Sequence, residues 1–79
     1  MTASEAPVAR SDLYKDGSVK AQGFELGGEL HGQWEWFRQD GSLMRSGEFD
    51  RGRQVGAWRT WERTGRLVKQ TVFPAPDAE

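Results

Sequence analysis

Gly41-Ser42-Leu43-Met44-Arg45-Ser46-Gly47-Glu48-Phe49-Asp50-Arg51-Gly52-Arg53-Gln54-Val55-Gly56-Ala57-Trp58-Arg59-Thr60-Trp61-Glu62-Arg63-Thr64-Gly65 is the stretch that decides the fold. Moved back by 24 residues it meets itself: Asp40-Gly41-Ser42 falls on Asp16-Gly17-Ser18, Gly47 on Gly23, Gly52 on Gly28, Gly56 on Gly32 and Trp58 on Trp34. Moved forward, Gly41 meets Gly65, Leu43 meets Leu67 and Phe49 meets Phe73. A fixed period of this size marks a repeat architecture. The repeats run from about Leu13 to Phe73, roughly two and a half copies. Residues 12–73 are read as one repeat domain, and the proline-bearing ends, 1–11 and 74–79, as disordered tails.

The segments between glycines are short, rich in aromatic and β-branched residues, and alternate in character. No segment sustains a 3.6-residue apolar period, and ten glycines argue against helices. Asp-Gly favours a two-residue type I′ hairpin turn, so turns are expected at Asp16-Gly17, Asp40-Gly41 and Thr64-Gly65. The expected fold class is all-β: a single-layer antiparallel meander of hairpins with five or so strands, built from about 2.5 repeats of 24 residues.

Two-residue turns fix a register. Arg38 then faces Leu43, Phe37 faces Met44, Trp36 faces Arg45 and Trp34 faces Gly47. Across the next turn Glu62 faces Leu67, Trp61 faces Val68 and Trp58 faces Thr71. Alternation sorts the side chains onto two faces. The first carries Trp34, Trp36, Leu43, Phe49, Trp58, Leu67 and Phe73. The second carries Phe37, Met44, Trp61, Val68 and Val72 among Gln33, Glu35, Ser46, Glu48, Arg59 and Gln70. Gly47 opposite Trp34 lets the indole lie flat across the neighbouring strand. Phe24 aligns with Glu48 rather than Phe49, which implies a bulge, a one-residue slip, or a degenerate cap in the first copy.

Gly47-Glu48-Phe49-Asp50-Arg51-Gly52-Arg53-Gln54-Val55-Gly56-Ala57-Trp58 and Gly23-Phe24-Glu25-Leu26-Gly27-Gly28-Glu29-Leu30-His31-Gly32-Gln33-Trp34 resemble the MORN repeat (membrane occupation and recognition nexus), and more closely the bacterial MORN-variant repeats of antitoxin-type proteins. The resemblance covers about three-quarters of the chain. It implies a twisted sheet of hairpins that binds protein, in some members lipid headgroups, and does not catalyse. It also implies an antitoxin-type partnership with a toxin.

Composition narrows the function classes. At 79 residues a lone core is marginal, and with no cysteine neither disulfides nor thiolate metal sites supplement it. A partner subunit is the remaining source of burial, so a homo-oligomer, simplest as a dimer, is expected. A net charge of −1 gives no global field for nucleic acid. No apolar run approaches the ~20 residues of a membrane span, and the N-terminus does not read as a secretory signal. The expected location is cytoplasmic.

Trp34 and Trp58 read as core. A single layer leaves the second stripe for contact with a second copy or another protein, and the expected interaction residues are Phe37, Met44, Arg59, Trp61 and Val68. The last strand, Leu67–Phe73, is little charged and reads as an edge that invites pairing. His31, the sole histidine, has no companions for metal or nucleophilic chemistry. Glu25, Glu29, Glu35, Glu48 and Glu62 alternate with apolar residues as on a solvated face, and no pair stands out as acid and base. A hydrolase therefore ranks last, a single-layer sheet also being expected to lack a pocket. No catalytic residue, cofactor, metal or small-molecule substrate is expected. The stretch Arg45–Lys69 holds seven basic and three acidic residues, locally +4, with Trp58 and Trp61 interleaved. It supplies the alternative: anionic lipid headgroups or nucleic acid bound through Arg51, Arg53, Arg59 and Arg63.

Overall fold

A computed structural model describes residues 6–74. They form one open sheet of six antiparallel strands in meander order: β1 (Val8–Leu13), β2 (Val19–Leu26), β3 (Glu29–Phe37), β4 (Leu43–Asp50), β5 (Arg53–Trp61) and β6 (Leu67–Phe73). Among the described residues there is no helix and no second layer, and the molecule measures 47 × 33 × 11 Å. The expected single-layer meander is what forms. It has one strand more than expected, because β1 starts at Val8, inside the stretch assigned to the N-terminal tail. Residues 1–5 and 75–79 lie outside the described residues.

The two-residue turns do not fall where they were expected. The Asp-Gly and Thr-Gly steps sit in three-residue loops, Lys15-Asp16-Gly17, Gln39-Asp40-Gly41 and Arg63-Thr64-Gly65. Each is closed by a pair of main-chain bonds: Gly41 N–H to Arg38 O at 2.9 Å and Arg38 N–H to Ser42 O at 2.9 Å, with the same pattern at Tyr14/Ser18 and Glu62/Arg66. The glycine takes a left-handed φ of +91° to +95°, as in a type I turn followed by a bulge. The tight turns are Gly27-Gly28 (φ +58°, +87°) and Arg51-Gly52 (φ +51°, +86°), where both residues are left-handed, as a type I′ turn requires.

The longer loops shift the register by one residue, and a bulge shifts it back. Phe37 pairs with Leu43, not Met44, yet Trp36 pairs with Arg45 and Trp34 with Gly47 as expected. Trp61 pairs with Leu67, not Val68, yet Trp58 still pairs with Thr71. The extra residues are Lys20, Met44 and Val68, spaced by the repeat. Two corrections follow, since directly opposed residues share a face. Leu43, opposite Phe37, and Leu67, opposite Trp61, belong to the second face rather than the first.

The first face holds the core. Trp34, Trp36, Phe49, Trp58 and Phe73 meet in a continuous run with ring centroids 5.1–6.5 Å apart, most of them edge to face. Trp34 is 2% exposed and Trp58 6%. Such burial in a single layer needs a floor as well as a roof. The floor is glycine, but not where the sequence placed it: the ring of Trp34 lies over Gly23 of β2, and that of Trp58 over Gly47 of β4. A Cβ at either glycine would stand 2.2 Å from Cδ2 of the indole. Each Nε1–H donates into the neighbouring strand, Trp34 to Phe24 O (2.9 Å) and Trp58 to Glu48 O (3.2 Å), and that of Trp58 is shared with Val55 O of its own strand (3.2 Å). Area burial by two such rings is worth about 4–6 kcal/mol each. Arg45 roofs the cluster, its guanidinium carbon 5.4 Å from both the Trp36 and Trp58 rings.

Phe24 is not displaced by a slip. β2 and β4 pair with the following strands in the same register, Phe24↔His31 and Glu48↔Val55. Phe24 occupies the Glu48 position and points away from the core, 41% exposed. The Phe49 position is taken by Glu25, which accepts from Arg10, and Arg10 in turn stacks 6.0 Å from Trp34.

Candidate functional site

The second face carries a stripe at the three-residue-loop end of the sheet. Three directly opposed apolar pairs recur every 24 residues: Leu13↔Val19, Phe37↔Leu43 and Trp61↔Leu67. Leu13 is 57% exposed and Leu67 45%, and the other four are half-buried. Adjacent pairs are tied by side chains at another repeat position. Tyr14 donates its hydroxyl to Phe37 O (2.8 Å), and Arg38, the next copy of Tyr14, donates to Trp61 O (2.8 Å). Each hairpin end is thereby clamped to the next, holding the three apolar pairs in one row.

Of the expected interaction residues, Phe37 and Trp61 lie in this stripe and are half-buried. Met44 and Val68 are the bulged residues beside it, Val68 being 50% exposed. Arg59 lies on the same face further along β5, exposed, its Nε donating to Gln70 Oε1 at 3.1 Å. The members that sequence reasoning missed are Leu13, Val19, Leu43 and Leu67. The signal was present: positions 13/37/61 and 19/43/67 are apolar in every copy.

A groove lies beside the stripe, where none was expected. Its volume is about 560 Å³, and Phe24, Gln33, Glu35, Leu43, Ser46 and Trp61 are among its lining. A smaller hollow of about 250 Å³ between Val19 and Phe37 continues it toward β2. Glu35 is the sole carboxylate lining the larger groove, and it accepts from Gln22 Nε2 at 3.0 Å. The other carboxylates considered for acid–base work stand apart: Glu25 pairs with Arg10, Glu48 accepts from Gln33 and Glu62 from Thr64. No two converge on a common point in these contacts. Among the described residues no group of three or more His, Cys, Asp or Glu is placed to hold a metal, and no helix is long and apolar enough to cross a membrane.

His31 has a local task. Its Nδ1 accepts the main-chain N–H of Arg51 at 3.1 Å, while Gly52 N–H donates to Leu30 O at 2.8 Å. The β4–β5 turn is thus pinned against β3, and the pin holds the one non-glycine residue with a left-handed φ among the described residues.

The basic stretch does not assemble into one patch. Arg45 is committed to the aromatic roof. Arg51 and Arg53 sit at the tight-turn end of β5, and Arg63 lies in the loop at the other end, paired with Asp40 at 3.2 Å. At about 3.3 Å per residue, Arg53 and Arg63 are roughly 30 Å apart.

The loop aspartates are well served. Asp16 Oδ1 accepts from Ser18 Oγ (2.6 Å) and Ser18 N–H (2.9 Å), and Asp40 Oδ1 accepts from Ser42 N–H (2.9 Å) and Ser42 Oγ (2.7 Å). The serine bonds hold both carboxyls below the usual range, at Asp16 chiefly the hydroxyl and at Asp40 chiefly the main-chain N–H. Comparison with family models, with curated proteins and with solved structures gives no match.

Proposed function

We propose that this chain is a non-enzymatic, MORN-like repeat module that binds protein through its second face, a second copy of itself first. The observation that carries the reading is the row Leu13/Val19, Phe37/Leu43, Trp61/Leu67, displayed on a sheet 11 Å thick with no second layer among the described residues. Contiguous exposed apolar rows of this kind mark interfaces. Trp61 at the centre of one end, with Arg59 exposed on the same face, supplies the residue types in which binding energy concentrates. Association between two copies would close the stripe and the adjoining groove together. The antitoxin-type partnership implied by the sequence resemblance would use the same face. Binding of anionic lipid or nucleic acid fits less well, because Arg51, Arg53, Arg59 and Arg63 are spread along both ends of β5 rather than gathered.

Light scattering coupled to size exclusion tests this directly. Wild type at micromolar concentration is expected at twice the chain mass, and Trp61→Glu at the chain mass. A wild type that stays monomeric across that range refutes the reading.

A further inference from the structure

The inter-hairpin joint has a fixed composition, and the two outer edges of the sheet depart from it. At the β2–β3 joint the ring of Trp34 lies over Gly23, and at the β4–β5 joint that of Trp58 lies over Gly47. One residue of the even strand faces three of the odd strand at each place, the register passing from Gln22↔Glu35 to Phe24↔His31, and from Ser46↔Arg59 to Glu48↔Val55. Gly32 and Gly56 take up the excess with φ of +80° and +72°. The joint therefore needs a glycine under the ring, a left-handed glycine two residues before the tryptophan, and a paired residue before that glycine.

β6 is the third copy of β2 and β4, and β1 is the first copy of β3 and β5. The outer edge of β6 is thus the even half of another joint, and the outer edge of β1 the odd half. Each is altered at the positions that matter. Thr71 stands where Gly23 and Gly47 receive the ring. On β1, Arg10 replaces Trp34 and Trp58, Val8 replaces Gly32 and Gly56, and Pro7 replaces His31 and Val55. A threonine Cβ occupies the space the indole needs. Valine is a poor occupant of left-handed φ, and proline removes a main-chain donor from an edge. Arg10 is turned inward, donating to Asp12 and Glu25 over the Trp34 ring. Elsewhere the match persists: continuing the joint register would set Lys69 opposite Asp12 and Gln70 opposite Ser11.

We infer that the outer edges of β1 and β6 are complementary halves of a latent joint between two copies of this chain, held closed by Pro7, Val8, Arg10 and Thr71. Open repeat sheets offer head-to-tail pairing without end, which leads to filaments. The four residues stop the array at six strands. The expectation that β6 invites a second chain is narrowed accordingly: it is closed to the strand type that its own repeat would supply. This inference does not depend on the second-face reading, since the joint lies on the sheet edges.

The test opens one half in each of two chains. P7V/V8G/R10W restores the β1 edge and T71G the β6 edge. Each variant alone is expected to show the same assembly state as wild type. Mixed in equal amounts in a Trp61→Glu background, which removes second-face association, they should form one joined species at the summed mass of two single chains, and all four substitutions in one chain should give filaments by electron microscopy. The mixture staying unjoined, with both variants retaining the circular dichroism of wild type, overturns the inference, and so do filaments of wild type. Should the triple variant not fold, a peptide of residues 29–37, carrying its own Gly32 and Trp34, replaces it. Saturable binding of that peptide to T71G with at least tenfold weaker binding to wild type is expected, and binding to neither or equally to both overturns the proposal. Wild-type dimerisation lost in Trp61→Glu reports on the second face alone, so the two readings fail separately.

Discussion

Gly47→Ala, like its repeat equivalent Gly23→Ala, should be among the most damaging single-methyl changes in this chain. The added Cβ would stand 2.2 Å from Cδ2 and 2.3 Å from Cε2 of Trp58. Carbon atoms in contact sit about 3.5–4.0 Å apart, so the ring must retreat by roughly 1.5 Å. Retreat within the cluster is overpacking, which costs about 1–3 kcal/mol. It also strains the Nε1–H bonds to Glu48 O and Val55 O, now 3.2 Å each, for about 1 kcal/mol more. A total of about 2–4 kcal/mol is a large share of the roughly 4–12 kcal/mol expected at this length. The control is Gly41→Ala, whose Cβ meets nothing within 4 Å and whose φ of +91° brings only backbone strain, about 1–2 kcal/mol. Urea denaturation followed by circular dichroism compares them. The ring is shown to be the cause by a double-mutant cycle: in a Trp58→Leu background Gly47→Ala should cost about 1 kcal/mol or less. If Gly47→Ala costs no more than Gly41→Ala, or keeps its full cost without the indole, the ring-over-glycine joint is not what stabilises this sheet.

Trp61→Glu should abolish association while leaving strand content intact, whereas Trp58→Glu should unfold the chain; circular dichroism and light scattering on both variants decide whether the two faces were told apart correctly. Asp16 and Asp40 have folded values below the usual carboxylate range, so their contribution is present above the unfolded value and is lost as pH falls through the folded one. Wild type should lose stability below about pH 4 more steeply than D16N/D40N, and parallel denaturation curves for the two would remove the loops from the account. His31→Ala should cost about 1 kcal/mol by leaving Arg51 N–H without its acceptor. Combining it with Arg51→Gly, which relieves the left-handed φ, should recover part of that loss in the same urea assay.

How far the fold could be read from the sequence depends on which features the 24-residue period fixes. The period fixes strand order and the core rings, because Trp34/Trp58 and Phe49/Phe73 recur at fixed offsets. It does not fix where the first strand begins: β1 carries Arg10 and Val8 at the tryptophan and glycine positions, so its start reads as tail. It does not fix loop length. Asp-Gly suits both a two-residue I′ turn and a three-residue loop with glycine last. Ser18 N–H to Asp16 Oδ1 and Ser42 N–H to Asp40 Oδ1 support the longer loop in two copies, and the third takes the same length with Thr64 in the aspartate's place. The mistake was nearly silent, since each long loop is followed by one extra residue, and the tryptophans regain their expected partners. Only the residues between loop and bulge changed face, which is why Leu43 and Leu67 were misplaced. The stripe of the candidate site was legible for Phe37 and Trp61 and misread for Leu43 and Leu67 for this same reason, while Leu13 and Val19 of the first copy were assigned to neither face. Gly47 was correctly paired with Trp34, but the ring that covers it belongs to Trp58 on its other side. Register names the opposed residue, and side-chain direction decides which neighbour is covered.

The division of labour between the two faces follows from that same geometry. On the first face the rings of Trp34 and Trp58 lean across strands, each over a glycine, and Trp36, Phe49 and Phe73 pack against them, so the sheet buries large side chains with no second layer among the described residues. On the second face the apolar residues stand in directly opposed pairs at the hairpin ends and cover only each other. Leaning needs glycine on the neighbouring strand, and glycine is present at Gly23 and Gly47, beneath Trp34 and Trp58 of the first face, while Phe37 and Trp61 have no such floor. The apolar row is therefore built into the repeat rather than left over from a small core, and it recurs in every copy, at the exposed Leu13 and the half-buried Phe37 and Trp61. A sheet that needed only to be stable could have placed polar residues there, as it does at Gln33, Glu35 and Ser46 on the same face. The apolar residue retained at that position in all three hairpins, clamped in line by Tyr14 and Arg38, is the ground on which the second face is proposed as the binding face.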